Sequence, residues 1–286
     1  MSIQSTVESV LPTLSPSLAR VAALLRENPK AVLESSINEL ADQCGTSVAS
    51  IVRFCRVIGF TGYTQLRMAM ATELGRESVQ FADTPAYGAE IADGDSLRSM
   101  ASKIAALETL AIEETVADLD YEQLAAIVSA LDGASRILLF GMGASQFVAQ
   151  DLGHKLLRIG RMAFVFSDAH EASASASLDF PGTVAIGFSH LGYTTETLQF
   201  LAVAKSAGAT TVGVTSGQDS KLAQQADHFL LTRVRETSFR AGAMVSRIAQ
   251  LAVVDCIFLG VAQRRYADTV EALRRTREAT RQARGI

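Results

Sequence analysis

Residues 135–160, SRILLFGMGASQFVAQDLGHKLLRIG, hold the feature that most narrows what this chain can fold into. Ile137–Phe140 is a short apolar run that reads as a buried strand. Gly141-Met142-Gly143-Ala144-Ser145 then turns, and Phe147, Val148, Leu152, Leu156 and Leu157 follow at helical spacing. A strand that passes through a glycine turn into a helix aims unpaired backbone N–H groups at an anion. Gly141 and Gly143 match the first two glycines of the dinucleotide-binding fingerprint, but Gln146 stands at the third, which disfavours a nicotinamide-dependent enzyme. Ser145 offers a hydroxyl at the helix start, to cap the helix or to hold a phosphate oxygen. Taken alone, the stretch is equally a plain tight turn; a second loop has to agree with it.

The rest of the C-terminal half repeats the alternation. Met162–Phe166, Thr183–Phe188, Thr211–Val214 and His228–Leu231 read as further strands, with helical patterns at Thr195–Ala207 and Ser220–Ala226. Strand–helix alternation implies an α/β doubly wound domain: a parallel five-stranded sheet with helices on both faces and ligands at the carboxyl ends of its strands. The second loop follows the third strand: Ser189-His190-Leu191-Gly192-Tyr193-Thr194-Thr195-Glu196. Its hydroxyls and N–H groups, arranged about Gly192, suit a phosphate. Helix capping is the competing reading of Ser189 and Thr194; His190 is a further candidate ligand contact, with a solvated loop residue as its other reading. Asp168, after the second strand, sits where a ribose-binding acid would, but without the third glycine a surface or cap role is the better reading.

A length of 286 residues allows two domains, and 48% hydrophobic residues against 20% charged describe a globular chain. The net charge of −4 excludes general nucleic-acid stickiness but leaves room for a small DNA-binding module. Cys44, Cys55 and Cys256 are widely spaced within apolar segments and read as buried thiols in a reducing compartment. The 4 histidines are scattered, so no metal site and no cofactor are expected. MSIQSTVESV lacks the pattern of a signal peptide, and a charged residue interrupts every candidate membrane span. A cytoplasmic protein with no membrane partner is expected.

Residues 15–75 read as consecutive helices. Leu18, Val21, Ala22, Leu24 and Leu25 form one apolar stripe, ended by Asn28-Pro29. Ser36-Ile37-Asn38-Glu39 is a capping box. Ile37, Leu40, Ala41 and Cys44 then mark a buried face, Gly45 stops the helix and Ser47 caps the next. In the following helix Ile51, Phe54, Cys55 and Ile58 face inward, which leaves Ser47, Val48, Ser50, Arg53 and Arg56 facing outward. Two helices across a tight glycine turn, with Ser and Arg on the second, suit a helix-turn-helix that reads operator DNA. Residues 43–72 carry Arg53, Arg56 and Arg67 and no acid, so positive charge is local to that face. An ordinary helical hairpin with solvated arginines is the competing reading.

Two runs on these helices, Ser36-Ile-Asn-Glu-Leu-Ala-Asp-Gln-Cys-Gly-Thr-Ser47 and Ile51-Val-Arg-Phe-Cys-Arg-Val-Ile-Gly-Phe60, closely resemble the N-terminal domain of RpiR-type bacterial transcription regulators. Gly62-Tyr63 extends the likeness. Such regulators join a helix-turn-helix domain to a sugar isomerase (SIS) domain, and the resemblance covers roughly residues 10–262. It implies that the Gly141–Ser145 turn is the first glycine loop of an SIS domain, and that Ser189, Gly192 and Thr194 belong to its Ser-x-Ser-Gly-x-Thr phosphate loop. Leu191 stands where the family has a small hydroxyl, which leaves a phosphorylated and a non-phosphorylated sugar both open. Residues 236–250 resemble the start of the family's long C-terminal helix, and by that likeness Glu236 is a ligand contact. An acid favourable at a helix N-terminus is its other reading.

Three segments are thus expected: a helix-turn-helix domain over 1–77, a linker over 78–96 that loses apolar periodicity around Pro85, Gly88 and Gly94, and an SIS-like domain over 97–286. Ser96 is read as capping a helix over 97–116 and Asp120 one over 121–131. Residues 264–284, with seven Arg against three acids, read as a solvated terminal helix. The expected function is a transcription regulator that binds operator DNA and responds to a sugar phosphate or related carbohydrate, assembled as a homodimer or homotetramer. A sugar-phosphate isomerase with an appended helical domain is the alternative, and would need Glu236 or His190 to move protons on the sugar.

Overall fold

The computed structural model describes residues 2–80, 94–235 and 243–283. The chain divides into two compact units: residues up to Ala117 together with Arg233–Ser246, and Asp118–Thr232 together with Arg247 onward.

The first unit is helical. It holds α1 (Ile3–Val10), α2 (Pro16–Glu27), α3 (Ala31–Glu34), α4 (Ile37–Gln43), α5 (Val48–Val57), α6 (Tyr63–Gln80) and α7 (Leu97–Ala117). The expected inward positions meet in one core, where Val21, Leu25, Leu40, Ile51, Phe54, Leu66 and Met70 are at most 1% exposed. Ser36 accepts from the N–H of Glu39, whose carboxylate accepts from the N–H of Ser36, so the capping box is made. Those hydrogen bonds hold the Glu39 carboxyl below its usual range. Two features differ from expectation. α6 runs to Gln80, into the span expected as linker, and α7, expected in the SIS-like domain, packs with the first unit. Pro85 and Gly88 lie outside the described residues.

A buried charge cluster ties this unit together. The Arg235 guanidinium pairs with Glu114 of α7, with Glu77 of α6 at 2.7 Å and with Glu73 of α6 at 3.6 Å. Glu73 also accepts the N–H of Ile3 at 2.6 Å, and Glu114 accepts the hydroxyl of Ser2 at 2.8 Å. Thr115 exchanges hydrogen bonds with the backbone of Arg233. Burial pushes the Glu73 carboxyl up, further than Ile3 and Arg235 draw it down.

The second unit is the α/β domain. Its elements in order are α8 (Tyr121–Gly133), β1 (Arg136–Gly141), α9 (Ala144–Arg158), β2 (Ala163–Val165), α10 (Ala169–Ala176), β3 (Thr183–Phe188), α11 (Thr195–Ser206), β4 (Thr210–Thr215), α12 (Lys221–Gln225), β5 (His228–Leu231), α13 (Met244–Arg264) and α14 (Tyr266–Ala283). The five strands are parallel in the order β2-β1-β3-β4-β5. Alternate residues of β1 face opposite layers: Ile137 and Leu139 pack with Leu152, Val253 and Ile257, while Leu138 and Phe140 pack with Ala172, Phe200 and Leu201. Both faces are covered, which is why β1 and β3 read as unbroken apolar runs.

On α9 the apolar set splits. Val148, Leu152 and Leu156 are buried, whereas Phe147 and Leu157 are each 60% exposed. Asp168 caps α10, its carboxylate accepting from the N–H groups of His170 and Glu171. Asp120 caps α8 in the same way. By length and composition α13 is apolar enough to cross a membrane, at mean hydropathy 1.8, contrary to the sequence reading that charges break every such stretch. Val253, Val254, Ile257 and Val261 pack it against the sheet, so it is a core helix of this unit.

Candidate functional site

Strand order places the site. From β1 the chain crosses through α9 to β2 on one side, and from β3 through α11 to β4 on the other. The connections diverge between β1 and β3, and open parallel sheets bind ligands in the crevice at such a switch point. Gly141 pairs in register with Phe188, so the chain leaves both strands at the same sheet end. The two glycine loops therefore flank one crevice.

In the first loop Gly143 is the N-cap of α9 and takes φ 57° and ψ −123°, a conformation costly for any residue with a Cβ. It makes no side-chain cap, and within the first turn the N–H of Ser145 donates to the carbonyl of Met142 and that of Gln146 to the carbonyl of Gly143, each at 3.2 Å. Ser145 was a candidate cap and does not act as one. Its hydroxyl donates to Oε1 of Gln250 on α13 at 3.1 Å. Gln250 is 1% exposed, and its Nε2 has no partner among the described residues.

In the second loop Gly192 takes φ 74°, and a Cβ there would lie 2.3 Å from Oγ of Ser220. Only glycine lets the loop lie so close to the turn after β4. The hydroxyls of Ser189 and Thr194 are 2.9 Å apart, and Ser189 Oγ also accepts from the N–H of Gly192 at 3.2 Å. Thr194 is the N-cap of α11 without making the side-chain cap, so its hydroxyl serves the loop and not the helix. His190 is buried, not solvated, and its carbonyl accepts from the N–H and hydroxyl of Ser216 and from the hydroxyl of Thr215. Leu191 is half-buried. Glu236 lies outside the described residues.

Gln250 and the hydroxyls of Thr215, Ser216 and Ser220 went unread in the sequence. A signal existed for Gln250: it is a polar residue in register with Val253, Val254 and Ile257 on the buried stripe of an apolar helix. Among the described residues no group of three or more His, Cys, Asp or Glu is placed to hold a metal ion.

The candidate DNA face is built on α4 and α5. Ser47 caps α5 by accepting the N–H of Ser50 at 3.3 Å. Arg20 holds the turn from behind, donating to the carbonyls of Cys44 at 3.0 Å and Gly45 at 2.9 Å. Ser47, Val48, Arg53 and Arg56 are exposed on one side of α5. Ser50, expected beside them, is buried at 3% exposure. Its hydroxyl meets Ser47 Oγ at 3.1 Å and accepts from Arg53 at 3.2 Å. It sits at the third position of the helix, where the turn folds it under the cap and over the core. Burial pushes the Cys55 thiol up to about 11, so it is an inert core residue.

Comparison with known proteins finds both kinds of domain in order along the chain. Residues 1–77 match the helix-turn-helix domain of the rpiR family, and residues 130–260 match the SIS domain. An HTH-type transcriptional regulator of Caldanaerobacter subterraneus is 39% identical over 276 residues, 96% of each chain. The regulator YbbH of Bacillus subtilis is 34% identical over 96% of this chain and 95% of its own. Among solved structures, Vibrio vulnificus NanR complexed with ManNAc-6P is 27% identical with a TM-score of 0.60, covering 97% of each chain. The sugar isomerase domain of an RpiR transcription factor from Sphaerobacter thermophilus shares the fold at TM-score 0.58 and 24% identity, over 63% of this chain and 98% of that one. Matched in order by both domains and over nearly its whole length by such regulators, the chain belongs to the RpiR family of helix-turn-helix transcription regulators with a C-terminal SIS domain.

Proposed function

We propose that the second unit binds a phosphorylated sugar or related carbohydrate in the β1–β3 crevice, and that occupancy changes how the helix-turn-helix unit holds operator DNA. The observation that carries this reading is the Ser189–Thr194 hydroxyl pair, at the same sheet end as the uncapped start of α9. Hydroxyls and helix N–H groups are donors suited to a phosphate. The Vibrio relative is solved with a phosphorylated amino sugar, which supports the same ligand class here. Ser47, Val48, Arg53 and Arg56 are the residues assigned to DNA: the arginines to base edges and adjacent phosphates, the others to close backbone approach. A ligand changes DNA affinity only by favouring one arrangement of the protein over another.

The protein acts as a sensor and not an isomerase in this reading, in the cytoplasm and apart from membranes. Relatives across 96% of its length are named as regulators. It works as a homodimer or homotetramer, since one helix-turn-helix covers few base pairs and paired half-sites need paired subunits. Phe147 and Leu157 on α9 and Leu259 on α13, each at least 60% exposed, offer an apolar surface for pairing.

Calorimetric titration with phosphorylated sugars and their unphosphorylated counterparts tests the ligand class. Affinity should fall sharply when the phosphate is removed, and Leu191→Ser should strengthen phosphate binding. Equal affinity for both forms, with Ser189→Ala inert, would overturn the reading. Conversion of the bound sugar to an isomer, followed by NMR, would favour the enzyme instead. Light scattering at micromolar concentration should show a dimer or tetramer.

A further inference from the structure

Ser145 and Gln250 form an isolated polar pair at the start of α9. Ser145 is 9% exposed and Gln250 1% exposed. The Ser145 hydroxyl donates to Oε1 of Gln250, and among the described residues nothing meets Nε2 of the same carboxamide. A hydroxyl has a single proton. Spent on Gln250, that proton leaves Ser145 Oγ only lone pairs for any further partner, and lone pairs repel an anion. The arrangement therefore suits a hydroxyl or N–H donor and opposes a phosphate. It also leaves a buried N–H pair without an acceptor, among the costlier defects a protein interior can carry.

Both problems have one remedy. The two ends of a carboxamide are nearly isosteric. Turned over, Gln250 directs Nε2 at Ser145 Oγ and needs no other movement. Ser145 then receives a hydrogen bond from behind and is free to donate its own proton forward.

We propose that Gln250 is a positioning residue that sets the polarity of Ser145: an anion in the β1–β3 crevice selects the orientation in which Nε2 donates to Ser145 and Ser145 donates to the anion. An uncharged ligand that offers a donor to Ser145 selects the orientation seen here. The pair thus discriminates phosphorylated from unphosphorylated ligands without itself carrying charge. This rests on the reading above that an anionic group occupies the crevice.

A double-mutant cycle on the full-length protein separates the two ideas, with sulfate as a non-titrating anion probe and binding followed by NMR shifts of the loop amides. Wild type should show saturable binding that Ser189→Ala weakens; without it, the crevice reading itself fails. Ser145→Ala should weaken sulfate binding about tenfold or more, the loss of a hydrogen bond to a charged group. Gln250→Met, of similar length and without the amide, should weaken it about three- to tenfold. In the Ser145→Ala background Gln250→Met should do nothing further, because Gln250 acts only through that hydroxyl. A Gln250→Met protein that binds sulfate as wild type does would overturn the proposal. So would an equal loss in the Ser145→Ala background, which would mark Gln250 as packing support for the helix. Thermal unfolding of each variant verifies that it is folded. Should Gln250→Met be unfolded, Gln250→Leu takes its place in the cycle.

Discussion

The hydroxyls of Ser189 and Thr194, five residues apart across the loop after β3, lie 2.9 Å from each other. The loop is therefore a preformed pair of hydroxyls around one position, with the Gly192 N–H on Ser189 fixing its curvature. An anion that takes a donor from each interacts with a unit and not with two independent groups. Ser189→Ala and Thr194→Ala should each weaken binding of a phosphorylated ligand about ten- to a hundredfold. The double variant should lose much less than the product of the two, since each single change already disturbs the shared partner. Calorimetry on the three variants checks this, and strictly multiplicative losses would count against the shared site.

On the DNA side the exposure of Arg53 and the burial of Ser50 predict opposite outcomes for neighbouring residues. Arg53→Ala should weaken operator binding by about 1–3 kcal/mol if its guanidinium makes a bidentate base contact, with the fold retained. Ser50→Ala should act mainly on stability, because its hydroxyl serves Ser47 and Arg53 inside the protein. Gel-shift titration and thermal melts of both variants separate the two effects.

The Arg235 cluster sets one cation against three carboxylates that are 2–8% exposed. Removing the cation leaves these buried carboxylates without Arg235 to offset their charge. Arg235→Met should lower stability by about 3–5 kcal/mol at neutral pH, measured by urea unfolding. The Glu73 carboxyl is already raised above 4.5 by burial. A group with a raised folded pKa contributes its stability fully below the unfolded value and loses it as pH rises through the folded value. The deficit of the variant should therefore narrow as pH falls toward 4.5 and Glu73 takes up its proton.

Asp227, just before β5, titrates in the other direction. Burial would raise its carboxyl, but Lys205 at 2.7 Å and two hydrogen bonds from Thr211 outweigh it and hold the group below 3.8. Its contribution to stability is present above 3.8 and is lost as pH falls through the lower folded value. Asp227→Asn should destabilise the protein at pH 7, and the difference from wild type should shrink under acid. Urea midpoints at the two pH values provide the check; a constant difference would argue against this linkage.

Much of the chain's organisation was determined by the sequence alone. Thr183–Phe188 and His228–Leu231 are strands at the very residues their apolar runs marked. The capping box at Ser36 and the caps at Ser47, Asp120 and Asp168 are made as local chemistry dictates. These features depend on residues within a few positions of each other, and short-range hydrogen bonding and periodicity are written in the chain. Tertiary structure decided what depends on distant partners. Ser145 reads as a cap until Gln250, 105 positions away, engages its hydroxyl. Ser50 reads as outward-facing until the turn at Ser47 folds it under Arg53. Phe147 and Leu157 share an apolar pattern with Val148 and Leu152, yet lie on the side of α9 that the sheet does not cover. The packing of α7 and Arg235 with the first unit belongs to the same class. Periodicity states which residues can share a face, but only the packed structure states what lies opposite that face, because burial and charge pairing are properties of the neighbours and not of the segment.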